Sequence, residues 1–192
     1  GAAQINEYKV ALSNYRRAIK GTPTGSGNEK QLQQQALLRV GETQSTLEDW
    51  SASQKSYSEF VEKNPSHKLI RTAYLGLGWS KHNQEDYNEA ISFYTKTVKG
   101  GIRDDTGARA QFLLGECYLE QKHYVKARTE FSKVDQLYAF PDWQSKALLE
   151  MGRSFALENQ RAEAKTVFDK LIEKYPDTPA ALAAKDQLRR LN

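Results

Sequence analysis

Three histidines, one cysteine and the carboxylate pair Asp104-Asp105 are the side chains first weighed for chemistry in this chain of 192 residues. His67, His82 and His123 contain no i, i+4 pair and have no cysteine beside them, so they lack the spacing from which a metal cage is built. Cys117 is alone, which excludes an intrachain disulfide. Set inside an apolar helical pattern, it reads as a small buried hydrophobe rather than a nucleophile. Asp104 and Asp105 would suit acid–base work only with a histidine or third acid patterned next to them. Without one they read as a solvated helix start, with Asp105 or Thr106 as the cap. The stretch Gly21-Thr-Pro-Thr-Gly-Ser-Gly-Asn28 invites comparison with a phosphate loop, which needs a lysine directly after its last glycine. Here Asn28 and Glu29 follow Gly27, so the segment reads as a lengthened connection. No nucleophile elbow is present either. The expectation is a protein that is not an enzyme and holds no cofactor and no metal.

The elements that would position any functional surface recur along the chain. Gly41, Gly78, Gly115 and Gly152 stand 37 residues apart, and Ala36, Ala73, Ala110 and Ala147 keep step with them. A second series, Ala90, Ala127 and Ala164, is followed one turn later by Tyr94, Phe131 and Phe168. A fixed period of this size marks a solenoid of stacked supersecondary units. Glycine costs about 1 kcal/mol against alanine within a helix. Four of them on one register therefore predict close helix–helix approach, with the aromatic of a second helix filling the space left by the missing Cβ. The first unit departs from the pattern, with Ser53 where the small alanine is expected and Gln44 where an aromatic is expected. It should pack least well.

The best unit reads Leu148-x2-Met151-Gly152-x2-Phe155, then Ala164-x3-Phe168, then Pro176. The preceding one reads Gln111-x2-Leu114-Gly115-x2-Tyr118, then Ala127-x3-Phe131. On these residues the chain resembles the tetratricopeptide-repeat family over nearly its whole length. The period of 37, against a family norm of about 34, places about three extra residues in each connection. The resemblance implies an all-α, right-handed superhelical solenoid of about ten helices. Its expected divisions are a second helix of a partial repeat at 5–23, a loop at 24–32, repeats at 33–66, 70–102, 106–139 and 144–176, and a capping helix at 179–192. Within the first of these repeats, helices are expected near 29–46 and 50–63. The segment Glu7 to Tyr15 matches Asp86 to Tyr94, so the chain is expected to begin inside a longer array. Gly1-Ala2 reads as a non-native start, so the lack of a visible secretory signal carries little weight.

Composition limits the partners. There are 28 lysines and arginines against 24 acidic residues, a net charge of +4, and the signs are mixed within each predicted helix. This is too mild to point to nucleic acid, and no apolar run is long enough to span a membrane. Trp143, in the aromatic connection Leu137-Tyr-Ala-Phe-Pro-Asp-Trp143, fits either an exposed recognition residue or a hydrophobic staple at the start of the next helix.

In the family, first helices line the concave surface. That implies a partner-binding groove carrying Thr72, Leu75, Trp79 and His82, then Arg109, Phe112, Glu116 and Leu119, then Lys146, Leu149, Arg153 and Ala156. Each set follows i, i+3, i+7, i+10 and so shares a helix face. Leu38 and Glu42 stand where the family's carboxylate clamp would begin, which argues against a chaperone C-terminal peptide. The polar members, Thr72, Trp79, His82, Arg109, Glu116, Lys146 and Arg153, suit a protein segment with an apolar anchor and some acidic residues. A structural array that stacks end to end is the alternative, with self-association its mark. The passage from Phe168 through Tyr175-Pro-Asp-Thr-Pro-Ala180, closed by Leu-Arg-Arg-Leu, is similar in style to bacterial cell-envelope repeat proteins such as the Tol-Pal coordinator and the outer-membrane assembly lipoproteins. This implies a periplasmic or cell-envelope location.

Overall fold

Helix capping and the glycine–aromatic register account for most of the architecture. A computed structural model describes residues 2–20 and 27–191. Among them there are ten helices and no strand: α1 (Ala2–Lys20), α2 (Gly27–Thr46), α3 (Trp50–Lys63), α4 (Ile70–His82), α5 (Tyr87–Val98), α6 (Asp105–Glu120), α7 (Tyr124–Leu137), α8 (Pro141–Leu157), α9 (Arg161–Lys174) and α10 (Pro179–Leu191). The chain divides into two compact units, Gly1–Lys96 and Thr97–Asn192, with the division inside α5. The expected loop at 24–32 is helical from Gly27 onward; Glu29, Lys30 and Gln31 are ordinary helix formers, and composition alone hid the start. The rest of the glycine-rich stretch, 21–26, lies outside the described residues.

Helix starts follow side-chain caps. Asp49 accepts a bond from the Ala52 amide at 3.2 Å, and Asp104 accepts one from the Gly107 amide at 2.8 Å. Asp104, rather than Asp105 or Thr106, is therefore the cap of α6. The correction has a simple cause: Asp104 keeps an extended backbone, which leaves its carboxylate free to fold back on the first turn. α8 begins with Pro141 in its first turn, and the Thr178 hydroxyl accepts from the Ala181 amide ahead of α10.

Four helix ends share one turn. Glu48, Glu85, Lys122 and Asn159 have positive φ angles of 59°, 61°, 59° and 59°, and they too are 37 residues apart. The residue after each donates its amide to a carbonyl five back: Asp49 to Gln44 at 2.9 Å, Asp86 to Lys81 at 3.0 Å, His123 to Tyr118 at 2.8 Å and Gln160 to Phe155 at 2.9 Å. This is the Schellman closure, which satisfies orphan helix carbonyls and reverses the chain within three residues.

The glycines do what their register predicts. A Cβ added to Gly115 would lie 2.5 Å from the Phe131 ring, and one on Gly78 would lie 2.5 Å from the Tyr94 ring. The same holds for Gly152 against Phe168 and Gly41 against Tyr57. Gly76, outside the register, meets the other side of Tyr57, so that ring sits between two glycines. The first repeat, expected to pack least well, fills its interior with polar groups instead. Ser53 is fully buried, donates to the Gly41 carbonyl at 2.9 Å and lies 2.6 Å from the Ser45 hydroxyl. The Ser80 hydroxyl is 3.1 Å from that of Ser53, and Gln44 reaches Ser56 at 2.6 Å. These buried groups are mutually satisfied, which removes most of the penalty of burying them. In unit 2, ion pairs tie second helices together. Asp135 of α7 holds Lys170 and Lys174 of α9 at 2.6 and 2.9 Å. Arg128 of α7 pairs with Glu158 across the gap to α8 and lies over the Phe155 ring at 4.3 Å.

Candidate partner-binding face

The expected groove residues lie on α4 in unit 1 and on α6 and α8 in unit 2. On α4, Thr72, Trp79 and His82 are all half-buried, one helix turn or two apart. The Trp79 and His82 rings are 5.7 Å apart, and His82 continues edge-on to Tyr87 at 5.5 Å and to Tyr94 at 6.3 Å. The α4 members therefore form an aromatic cluster with α5. Trp79 and Thr72 are each partly exposed on α4, two turns apart. His67 and His123, in contrast, serve their own turns. His67 accepts a bond from the Leu69 amide at 3.1 Å and packs on Phe60; His123 lies next to Tyr118.

On α6 and α8 the structure brings Glu116, Lys146 and Arg153 together with Trp143, Glu120 and Glu150. Trp143 donates its indole N–H to an Asp105 oxygen at 2.8 Å and packs on Phe112 at 5.6 Å. It is neither a free recognition residue nor a staple within its own helix; it pins the start of α8 to α6. Lys146 is exposed and its ammonium lies 4.6 Å from the Trp143 ring centroid, a cation–π contact. Arg153 is engaged by Glu150 at 2.6 Å. Burial pushes the Glu116 carboxyl up to about 7, with the Glu150 and Glu120 charges adding and Lys146 opposing. Burial also raises Glu150, against the pull of Arg153. The nearby Cys117 thiol is pushed up to about 12 by burial and by Glu116 and Glu120, so the thiolate is not formed near neutrality.

The positive charge of the expected groove residues on α8 is thus offset: Lys146 acts on Glu116 beside Glu120 and Glu150, and Arg153 is held by Glu150. A signal for the missed acids was present. Glu120 lies four residues after Glu116, and Glu150 lies four after Lys146 and three before Arg153, all within reach of a shared helix face. Their mutual desolvation required two helices to be placed side by side. Among the described residues, no group of three or more His, Cys, Asp or Glu side chains is arranged to hold a metal ion. None of the described helices is long and apolar enough to cross a membrane.

Comparison with known proteins agrees with this geometry. Family models described as tetratricopeptide repeats match residues 109–139 and 146–178, and another of the same description matches 72–99. The structure is similar to that of YrrB, described as a tetratricopeptide-repeat protein with an unusual peptide-binding site, at TM-score 0.67 and 20% identity, covering 96% of this chain and 86% of that one. It is similar to MamA at TM-score 0.71 and 21% identity, covering 88% and 89% of the two chains. TTC0263, a thermophilic repeat protein of Thermus thermophilus, is similar at TM-score 0.63 and 16% identity, covering 99% and 93%. No curated protein matches the chain by sequence. At these identities the structural likeness speaks for the fold. Proteins of this repeat class act in general as protein-interaction scaffolds rather than as catalysts. Over residues 72–99, 109–139 and 146–178, the chain matches models of the tetratricopeptide repeat, and its fold is that of a tetratricopeptide-like helical solenoid.

Proposed function

We propose that the protein is a non-catalytic scaffold that holds segments of protein partners against its first-helix faces, α6 with α8 in unit 2 and, separately, α4 in unit 1. The observation that carries this reading is the arrangement at Trp143. An exposed lysine, Lys146, lies over an aromatic ring that is itself anchored by Phe112 and Asp105. This gives a fixed apolar seat beside a cation, suited to a segment with an apolar anchor and an acidic residue. Arg109 adds positive charge on the same helix face as Glu116. Because Glu116 sits near 7, its negative charge is only partial at neutral pH and fades as pH falls. Affinity for an acidic segment should rise between pH 8 and pH 6 and weaken with salt. On α4, Thr72, Trp79 and His82 offer a second apolar seat.

Affinity capture from the source organism, comparing wild type with Trp79→Ala and with Arg109→Glu/Lys146→Glu, tests the reading. Loss of the same partner in either variant supports it. Partners that all survive both changes at unaltered affinity defeat it. The alternative, end-to-end stacking with no dedicated peptide groove, predicts self-association, and light scattering over a concentration series separates the two readings. A cell-envelope location is supported by the style of the Tyr175-to-Ala180 passage, and fractionation of the source cells tests it.

A further inference from the structure

Unit 1 carries a strongly charged surface around α1 that the first-helix face does not use. A groove of about 560 Å³ runs between α1 and α3, floored by Leu37 and Val40 of α2 and walled by Arg16 and Lys20 on one side and Lys55 and Glu59 on the other. A second groove of about 230 Å³ shares Leu37 and Glu59 with it and adds Lys30 and Lys63. A third, about 390 Å³, runs along α1, shares Arg16 and Lys20, and adds Lys9 and Arg17. Seven cations thus line the three grooves, against one carboxylate among the described residues. That carboxylate, Glu59, is already bonded to Lys63 at 2.6 Å.

The corresponding gap in unit 2 shows what is missing. There, between α7 and α9, Asp135 stands opposite Lys170 and Lys174 and closes the gap with two ion pairs. Between α1 and α3, Arg16 and Lys20 stand on one wall and Lys55 on the other beside Glu59, which Lys63 already holds. The described residues thus leave an excess of positive charge that suits an anionic ligand. The floor distinguishes the classes of anionic ligand. Leu37 and Val40 are only 7% and 3% exposed, recessed rather than proud, which suits an inserted aliphatic side chain and not a bilayer. Among the described residues, no aromatic ring lines any of the three grooves, which disfavours stacked bases. We propose that the α1–α2–α3 groove is a second docking surface, which takes an acidic, leucine- or valine-bearing segment of a partner protein.

The test uses the full chain and fluorescence anisotropy with a short labelled peptide that alternates glutamate and leucine. Comparators are the lysine-and-leucine peptide, a single-stranded oligonucleotide, and vesicles containing phosphatidylserine. The glutamate peptide should bind saturably at low salt, and more tightly than any comparator. Arg16→Glu/Lys20→Glu should weaken it by roughly tenfold or more, and Arg16→Gln/Lys20→Gln by less. Both Arg16 and Lys20 are exposed, and unchanged circular dichroism confirms the fold of each variant. Where the probe also occupies the face proposed above, the titration resolves two sites, and Arg109→Glu/Lys146→Glu should leave unaltered the site that the α1 variants weaken. The proposal is overturned by absent binding, by unchanged affinity in the α1 variants, by loss confined to the Arg109/Lys146 variant, or by tighter oligonucleotide or vesicle binding that the α1 charges control.

Discussion

At the scale of single residues, two positions carry most of the physical content. Gly115 leaves room for Phe131, and a methyl group placed there would sit 2.5 Å from the ring. Gly115→Ala should therefore destabilise the protein by about 1–3 kcal/mol through overpacking, even though alanine is the better helix former. Chemical denaturation measures this, and a second change, Phe131→Leu, should recover part of the loss. Glu116 makes a prediction of the opposite sign. Its carboxyl is raised from 4.5 to about 7 in the fold, so the folded state binds more protons than the unfolded one between those values. Stability should fall as pH rises through that window and be lowest above pH 7. Glu116→Gln removes the cost, so it should raise the melting temperature at pH 8, by on the order of 1–3 kcal/mol of stability, and change little near pH 4. Equal effects at both pH values would show that burial of Glu116 is not the cause.

At the scale of elements, the repeated turn matters more than any one helix. Four non-glycine residues hold positive φ at the junctions within repeats, in a conformation that side chains with a Cβ adopt at a cost of about 1 kcal/mol. Lys122→Gly should relieve that strain and raise stability by up to about 1 kcal/mol, while Lys122→Val should lower it. Thermal melts of the two variants check the ordering. If valine is tolerated as well as glycine, the left-handed turn is not maintained in solution.

For the whole molecule, stability should grade along the chain, because each repeat is stabilised by burial against its neighbours rather than by one shared core. None of the residues of α1 between 5 and 20 is fully buried, and Ile5 and Val10 are about half exposed, at 48% and 55%. By contrast α6 buries Ala108, Ala110, Leu113, Leu114 and Cys117 almost completely, and α9 does the same for Ala164, Phe168 and Leu171. Native-state hydrogen exchange should show α1 opening first and the α6–α9 amides exchanging last. Protection of α1 equal to that of α6 would contradict the gradient.

What the sequence determined by itself was the repeat. The spacing of Gly41, Gly78, Gly115 and Gly152, with alanine and aromatic partners in step, was legible because close helix contact demands small residues at one place and a ring opposite. The helical class and the number of helices follow from it. The tertiary structure decided what spacing cannot encode. The left-handed residues escaped notice because the side chains of Glu48, Glu85 and Lys122 do not announce positive φ, and only Asn159 is of a type that favours it; it is imposed by the carbonyls that the turn must satisfy. The polar interior of the first repeat looked like a defect until Ser45, Ser53 and Ser80 were placed within bonding distance. Trp143 looked like a choice between exposure and local packing, and it became a pin only once Asp105 and Phe112 were brought to it from 38 and 31 residues away. Charge was the least legible property. The sign of a surface depends on which helices stand opposite one another, and so Glu150 balanced α6 and α8 while the cations around α1 found one acid among them.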